Sequence, residues 1–400
     1  MLPLSEKVLN TETSQTLALA ARAKLLKDSG IDIVSLTAGE PDFPTPRHVK
    51  DAAIKAIEED FTHYTANEGI SELLLAIVKK FSKENNLHFT QEQILVSTGA
   101  KQCIFNALQA LCNRGDEVII LSPYWVSYPE IVKLADAIPV IVQMTIAEGF
   151  RPNVQRIQDA ISPKTKAIIL NTPGNPTGVV YTRQELLSLA SLVRESGIYV
   201  ISDEIYEKVI YDGREHVSIG SLDDLRDQVI TVNGVSKAYA MTGWRIGYMG
   251  GPVDVIRAAA KVQSQVTSNA TSISQKATIA ALNGSNAEIA SMVKEFNDRR
   301  RIAYSALREI PRAEVILPEG AFYFLIGIRA FYAARSSGCS IRNSTEMTQY
   351  LLETHKVALV PGAAFGAVDC VRLSYACSMT DLQKGIERIK AGLKELMNSH

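Results

Sequence analysis

Short apolar runs rich in valine and isoleucine punctuate the middle of the chain, at residues 94–97, 118–121, 139–142, 167–170, 198–202 and 229–232. Stretches with the apolar spacing of a helix lie between most of them, for example 101–111 and 184–195. The second opens on Thr182-Arg-Gln-Glu185, where the threonine and glutamate side chains can satisfy each other's backbone N–H groups as a capping box. Strands that are apolar throughout are covered on both faces, so this alternation predicts a mainly parallel sheet in an α/β domain. Two further helices are predicted upstream. One begins at Pro46, with Thr45 as its cap, and runs to about residue 59; the other covers 71–83.

The last quarter reads differently. A long charged helix is predicted at 287–309, strand-like pieces at 322–326, 358–360 and 371–374, and helices at 345–354 and 380–397. The last opens on a second capping-box pattern, Thr380 to Gln383. This is the pattern of a smaller α+β unit, with a boundary near residue 290 and an exposed loop at 336–343.

Size and charge narrow the picture. The chain has 400 residues, too many for one typical domain of about 100–200. Lys plus Arg number 42 and Asp plus Glu 43, a net charge of −1, which argues against broad binding to nucleic acid or an anionic membrane. No apolar stretch is long enough to span a bilayer, and no secretory signal is expected from the first ten residues. The five cysteines, at 103, 112, 339, 370 and 377, are odd in number and never spaced Cys-x-x-Cys. Reduced thiols and a cytoplasmic location are expected, with Cys103 as core packing. The six histidines show no tight ligand spacing, so no metal site is expected.

The candidate chemistry sits in four polar clusters at the C-terminal ends of predicted strands, where open α/β sheets bind ligands. In residues 96–101, Val-Ser-Thr-Gly-Ala-Lys, a strand turns into a helix, and the N–H groups of Gly99, Ala100 and Lys101 can hold a phosphate. A glycine there also serves a plain turn. Residues 171–178, Asn-Thr-Pro-Gly-Asn-Pro-Thr-Gly, make a rigid turn that can aim Asn175 at a ligand oxygen, or no more than a turn. Asp203 ends an apolar strand, where a carboxylate is costly unless a cation pairs with it; a helix cap is the bland alternative. In residues 232–248, Lys237 lies among small and apolar residues, and burial would lower its pKa and expose a nucleophilic amine. Arg245 adds a cation that disfavours protonation of Lys237 and can bind phosphate. Phosphate-binding groups, an amine and a buried acid together fit pyridoxal phosphate (PLP). Dinucleotide, P-loop and nucleophile-elbow signatures are missing.

The motifs LTAGEPDFPTP (36–46), HYTANEGISEL (63–73), STGAKQ (97–102), SPYWVSYPE (122–130), NTPGNPTG (171–178), SDEIYE (202–207), VNGVSKAYAMTGWRIGY (232–248), PEGAFY (318–323) and VRLSYA (371–376) occur in that order. On them the chain resembles the class I, fold-type I PLP-dependent aminotransferases, in particular the bacterial aspartate and aspartate/prephenate branch. The resemblance implies a large domain, 46–290, with a mostly parallel seven-stranded sheet, and a small domain made of 1–45 and 291–400. It also implies a homodimer with active sites at the interface.

The resemblance further makes Lys237 the aldimine lysine and the later base, with Asp203 at the pyridine nitrogen and Asn175 and Tyr206 at the phenolate oxygen. Trp125 would stack on the ring. Gly99, Ala100, Lys101 and Arg245 would hold the phosphate, joined by Tyr64 of the other subunit. Arg372 would clamp the substrate α-carboxylate, helped by Gly39, Trp125 and Asn175. Lys101, Ser14 and Thr16 match the positions that meet the distal carboxylate. The family often has Lys-Pro-Ser where this chain has Glu12-Thr-Ser14, and an acid there disfavours prephenate. L-aspartate with 2-oxoglutarate, in a ping-pong cycle, is therefore the first expectation. A prephenate/glutamate, aromatic or alanine-type aminotransferase is the alternative, and a non-catalytic PLP-binding regulator the remote one.

Overall fold

All six valine- and isoleucine-rich runs form strands of one sheet. The structure is a computed structural model and describes residues 4–13, 15–222, 225–332, 335–336 and 339–398. The strands are β1 (Ile94–Ser97), β2 (Glu117–Ser122), β3 (Ile138–Gln143), β4 (Thr165–Asn171), β5 (Tyr199–Asp203), β6 (Val229–Gly234) and β7 (Gly247–Gly250). Their order is β1-β7-β6-β5-β4-β2-β3, with β7 antiparallel to both neighbours and the other pairings parallel.

The seventh strand, which the resemblance implies but no apolar run marks, is β7; it reads Gly-Tyr-Met-Gly. Its glycines are there for closeness: a Cβ on Gly247 would lie 2.1 Å from the backbone N of Ala100, and one on Gly250 would lie 2.6 Å from the Phe89 ring. Helices Ala100–Leu111 and Val253–Val266 cover one face of the sheet through Cys103, Ile104, Ile256 and Ala259. Helix Arg183–Ser196 covers the other through Leu186, Leu189 and Val193. The sheet is thus buried on both faces except at β3, an edge strand whose Ile138 is 48% exposed; it is not covered throughout as its apolar run predicts.

A second apolar cluster joins Val34 and Leu36 to Phe296, Phe324, Leu373, Tyr375, Leu382 and Ile386. Around it runs a four-stranded antiparallel sheet of Val360–Pro361, Cys370–Ser374, Tyr323–Gly327 and Glu314–Val315. The strand predicted at 358–360 is in fact two pieces in different ladders. Val357–Ala358 pairs in parallel with Val34–Ser35, and Val360–Pro361 pairs with Cys370–Ser374. The long helix spans Ala287–Leu307 and runs unbroken through residue 290.

Of the expected caps one forms and two are replaced. The box at Thr182 and Glu185 forms. The helix Arg47–Glu58 has Pro46 at its N-cap, and the hydroxyl of Thr45 instead donates to Ala240 O at 2.7 Å and accepts from Trp244 Nε1 at 3.0 Å. The last helix begins at Met379, so Ser378 and not Thr380 is its cap, accepting from Asp381 N at 3.1 Å. Within the expected loop 336–343, Ser336 pairs with Cys339, Ile341 is buried, and Asn343 caps the helix Ser344–Glu353. Among the described residues no helix is long and apolar enough to cross a membrane.

Candidate active site

The C-terminal ends of β4, β5 and β6 open onto a cavity of about 590 Å³, closed on its far side by residues 35–40 and 372. Strand β5 carries Asp203 to its last position, where the residue is only 4% exposed. Burial pushes its carboxyl up to about 6; the phenol of Tyr128, donating to Oδ2 at 2.7 Å, and the N–H of Ile205, donating to Oδ1 at 3.2 Å, pull the other way. At the end of β4, Asn171 ties this strand to the following turn. Its Nδ2 donates to Asp203 O at 2.9 Å and its Oδ1 accepts from Asn175 N at 2.9 Å.

The loop after β6 presents Lys237, whose Nζ donates to Gly39 O at 2.7 Å. Burial lowers its pKa to about 8. Arg245 and Arg372 act in the same direction, against the attraction of Glu40 and Asp203. Glu40 itself accepts from Thr242 Oγ1 at 2.6 Å. An amine with a pKa near 8 is free in an appreciable fraction of molecules at neutral pH, which imine chemistry and proton transfer both need.

Beside the lysine, β1 turns into the helix Ala100–Leu111. Gly99 sits there at φ +87°, and a Cβ would lie 2.5 Å from Arg245 Nη2. Arg245 is thus packed over the helix N-terminus, with Nη1 donating to Thr242 O at 3.0 Å. Lys101 Nζ lies 4.9 Å from the centre of the Trp125 ring, and burial together with Arg245 lowers its pKa. Trp125 lines the cavity and meets Tyr128 edge-to-face at 5.4 Å. The N–H of Gly99, expected at the phosphate, donates instead to Ser97 O at 2.7 Å. The helix N-terminus at Ala100 and Lys101, an arginine, a planar aromatic wall, a buried acid and an amine of lowered pKa form a donor set that fits the phosphate, ring, pyridine nitrogen and aldehyde of PLP.

Across the cavity, Arg372 is 3% exposed. Its Nη1 donates to Asn175 Oδ1 at 3.0 Å and its Nη2 to Thr37 O at 2.9 Å, and the guanidinium lies 4.5 Å from the Tyr323 ring centre and 4.8 Å from that of Phe365. Its Nε has no partner among the described residues, and none of its neighbours is a carboxylate. Tyr206 shares a 2.9 Å hydrogen bond with Tyr323, and burial raises its pKa well above the phenol range.

The cavity therefore brings together Gly39, Ala100, Lys101, Trp125, Asn175, Asp203, Tyr206, Lys237, Arg245 and Arg372, with Gly99 directly behind. Tyr64 does not line it; its side chain is 91% exposed. Ser14 lies outside the described residues, as does the side chain of Thr16, whose backbone belongs to the helix Gln15–Asp28. Reading the residues alone missed Tyr128, Asn171, Thr37 and Tyr323. Each falls inside a quoted motif, but its role consists of a contact with a residue distant in sequence. Of the cysteines, Cys103 is fully buried and its thiol is pushed up to about 12, as core packing requires.

The chain matches the family described as aminotransferase class I and II over residues 31–389. It is 46% identical to an aspartate aminotransferase of Geobacillus stearothermophilus, over 96% of this chain and 98% of that one. It is 44% identical to an aspartate/prephenate aminotransferase of Nitrosomonas europaea, with 96% and 98% covered. The structure of an aspartate aminotransferase from Thermus thermophilus with maleate superposes with a TM-score of 0.93 at 43% identity, covering 98% of this chain and all of that one.

Proposed function

Because this chain belongs to the class I and II aminotransferase family, we propose that it moves the amino group of L-aspartate to 2-oxoglutarate, giving oxaloacetate and L-glutamate in a ping-pong cycle. It is a PLP-dependent aminotransferase of fold type I. The observation that carries the substrate reading is Arg372, a buried guanidinium held only by neutral acceptors and ring faces. A buried cation without a carboxylate partner favours an anionic guest. Lys101, which lines the same cavity, supplies charge for a second carboxylate. The Thermus neighbour's maleate is such a dicarboxylate.

Ala100, Lys101 and Arg245 would hold the phosphate of PLP, with Gly99 leaving room for the arginine; Asp203 would keep a proton at the pyridine nitrogen, and Asn175 and Tyr206 would face the phenolate oxygen. When bound, PLP supplies an electron sink for the substrate Cα. Lys237 would hold the cofactor through its amine and would serve as the general base that moves the proton at the substrate Cα. Arg372 fixes the α-carboxylate through its planar fork, with Asn175 and the neighbouring Gly39 shaping the subsite. The walls formed by Trp125 and Tyr323 exclude water from the reacting carbon.

We divide the chain into a large domain, 46–290, and a small one of 1–45 and 291–400. The cluster that packs Val34 and Leu36 with residues 292–396 supports this. A homodimer is the working unit, supported by the exposure of Tyr64, which is free to enter a partner's cavity. The enzyme works in the cytoplasm, in keeping with the free thiols of Cys103, Cys112, Cys370 and Cys377. The test is an absorption spectrum of the purified holoenzyme. L-aspartate should bleach the band of the lysine-bound cofactor and 2-oxoglutarate should restore it. Prephenate with L-glutamate, assayed in parallel, separates the two named activities among the relatives. A band that aspartate leaves unchanged sinks the substrate assignment.

A further inference from the structure

Asp203 and Glu204 are neighbours at the end of β5 and point to opposite sides. Asp203 faces the cavity. Glu204, with no exposed surface, faces a dry compartment behind it. There its Oε2 meets His216 Nε2 at 2.8 Å and accepts from Ser218 Oγ at 2.6 Å, while Oε1 accepts from Ser202 Oγ at 2.9 Å. A second buried carboxylate, Glu207, is paired with Lys80 and accepts from Asn85 Nδ2 at 2.7 Å. The four ionisable side chains are 0% (Glu204), 7% (Glu207), 4% (Lys80) and 8% (His216) exposed. The outer pair Lys208–Glu84, at 2.8 Å, is neutral in sum.

The compartment therefore holds two carboxylates and one ammonium. It is neutral only when His216 carries a proton. With neutral His216, an uncompensated negative charge sits one residue from the acid assigned to the pyridine nitrogen, and a like charge there makes Asp203 harder to ionise. Burial opposes a charge on the imidazole, but Glu204 and Glu207 outweigh it and hold the pKa of His216 above its ordinary value.

We propose that His216 is a positioning residue for cofactor binding: bonded to Glu204, it cancels the negative charge behind Asp203 and so keeps that carboxylate ionised against the pyridine nitrogen. This rests on the assignment of Asp203 made above.

Two measurements on the full-length holoenzyme test it. Histidine NMR, with the His216 resonance identified by its loss in H216Q, should give a protonation midpoint above about 6.5; a midpoint at or below that value overturns the proposal. Equilibrium dialysis gives the apparent Kd for PLP. His216→Gln should raise it about tenfold at pH 5, below the pKa of Asp203, the equivalent of one pKa unit on the acid. The double variant H216Q/E204Q should return to within about twofold of wild type, because the charge to be cancelled has gone. A single variant that binds like wild type, or a double variant no better than the single, overturns the proposal. Should H216Q not fold, E204Q alone must bind PLP at pH 5 no more weakly than wild type, because the charge and the need to cancel it go together; weaker binding refutes it. Asp203→Asn separates the two assignments. If D203N keeps wild-type affinity, the role of Asp203 fails; if D203N loses PLP and H216Q does not, only the role of His216 fails.

Discussion

Tyr128 donates its phenol hydrogen to Oδ2 of Asp203 at 2.7 Å across 75 residues of sequence. Burial alone would drive Asp203 further up than about 6, and this hydrogen bond is the largest opposing contribution. Tyr128→Phe keeps the ring and removes the donor. The carboxyl pKa should rise by about one unit and the apparent Kd for PLP by about tenfold at pH 5, narrowing to about twofold at pH 7. The pH below which PLP is lost should move upward in parallel, as dialysis across pH 5–8 will show. An unchanged profile would mean that the phenol does not tune this acid.

The same acid destabilises the cofactor-free fold. Its folded pKa, about 6, lies above the ordinary carboxyl value of 3.8, so between these pH values the folded state keeps a proton that the unfolded state has lost. Its contribution to apoprotein stability therefore falls as pH rises through that window and stays low above it. Asp203→Asn should raise apoprotein stability at pH 7.5 by roughly 2 kcal/mol while weakening PLP binding. Urea unfolding of both apoproteins at pH 4 and pH 7.5 tests the sign: the gain must appear only at the higher pH.

Lys237→Ala removes the amine that reaches Gly39 O at 2.7 Å. The absorption band of lysine-bound PLP should vanish and kcat should fall more than about a thousandfold, since nucleophile and base go together. Exogenous methylamine should restore part of the proton transfer. Full turnover in the variant would remove Lys237 from the reaction.

Arg372→Lys keeps the charge and discards the fork that bonds Asn175 Oδ1 and Thr37 O. The apparent kcat/KM for aspartate should drop about a hundredfold or more, chiefly through KM, with PLP binding within a few-fold of wild type. Steady-state kinetics alongside cofactor titration separate the two effects.

Gly99→Ala places a methyl group where Arg245 Nη2 now lies, at a backbone φ of +87° that alanine rarely adopts. The arginine is flexible and should be displaced. PLP affinity is expected to fall about tenfold, with about 1 kcal/mol lost from the fold by backbone strain. If the affinity stays at the wild-type level, Arg245 is not a phosphate ligand.

Much of this was legible in one dimension. The valine- and isoleucine-rich runs marked six of seven sheet strands because burial on both faces leaves that composition. The polar clusters at their C-terminal ends placed Asp203, Asn175 and Lys237 at one rim because parallel strands bring their ends together. Strand β7 escaped because its glycines serve close approach to Ala100 and Phe89, a demand of neighbouring chain segments. Thr45 and Thr380 looked like caps locally, but Trp244 and Ala240 engage the first and Ser378 displaces the second.

The sequence by itself thus determined six of the seven strands and the placing of the polar clusters at their ends, since these rest on local composition and spacing, and its motifs carried the resemblance to the family. Only the tertiary structure decided how those groups are tuned. Tyr128 reaches Asp203, Asn175 and Thr37 hold Arg372, and His216 sits behind the pyridine-side acid through Glu204. Hydrogen-bond strength and pKa depend on distance and burial, and both are set when remote segments meet in a low-dielectric interior.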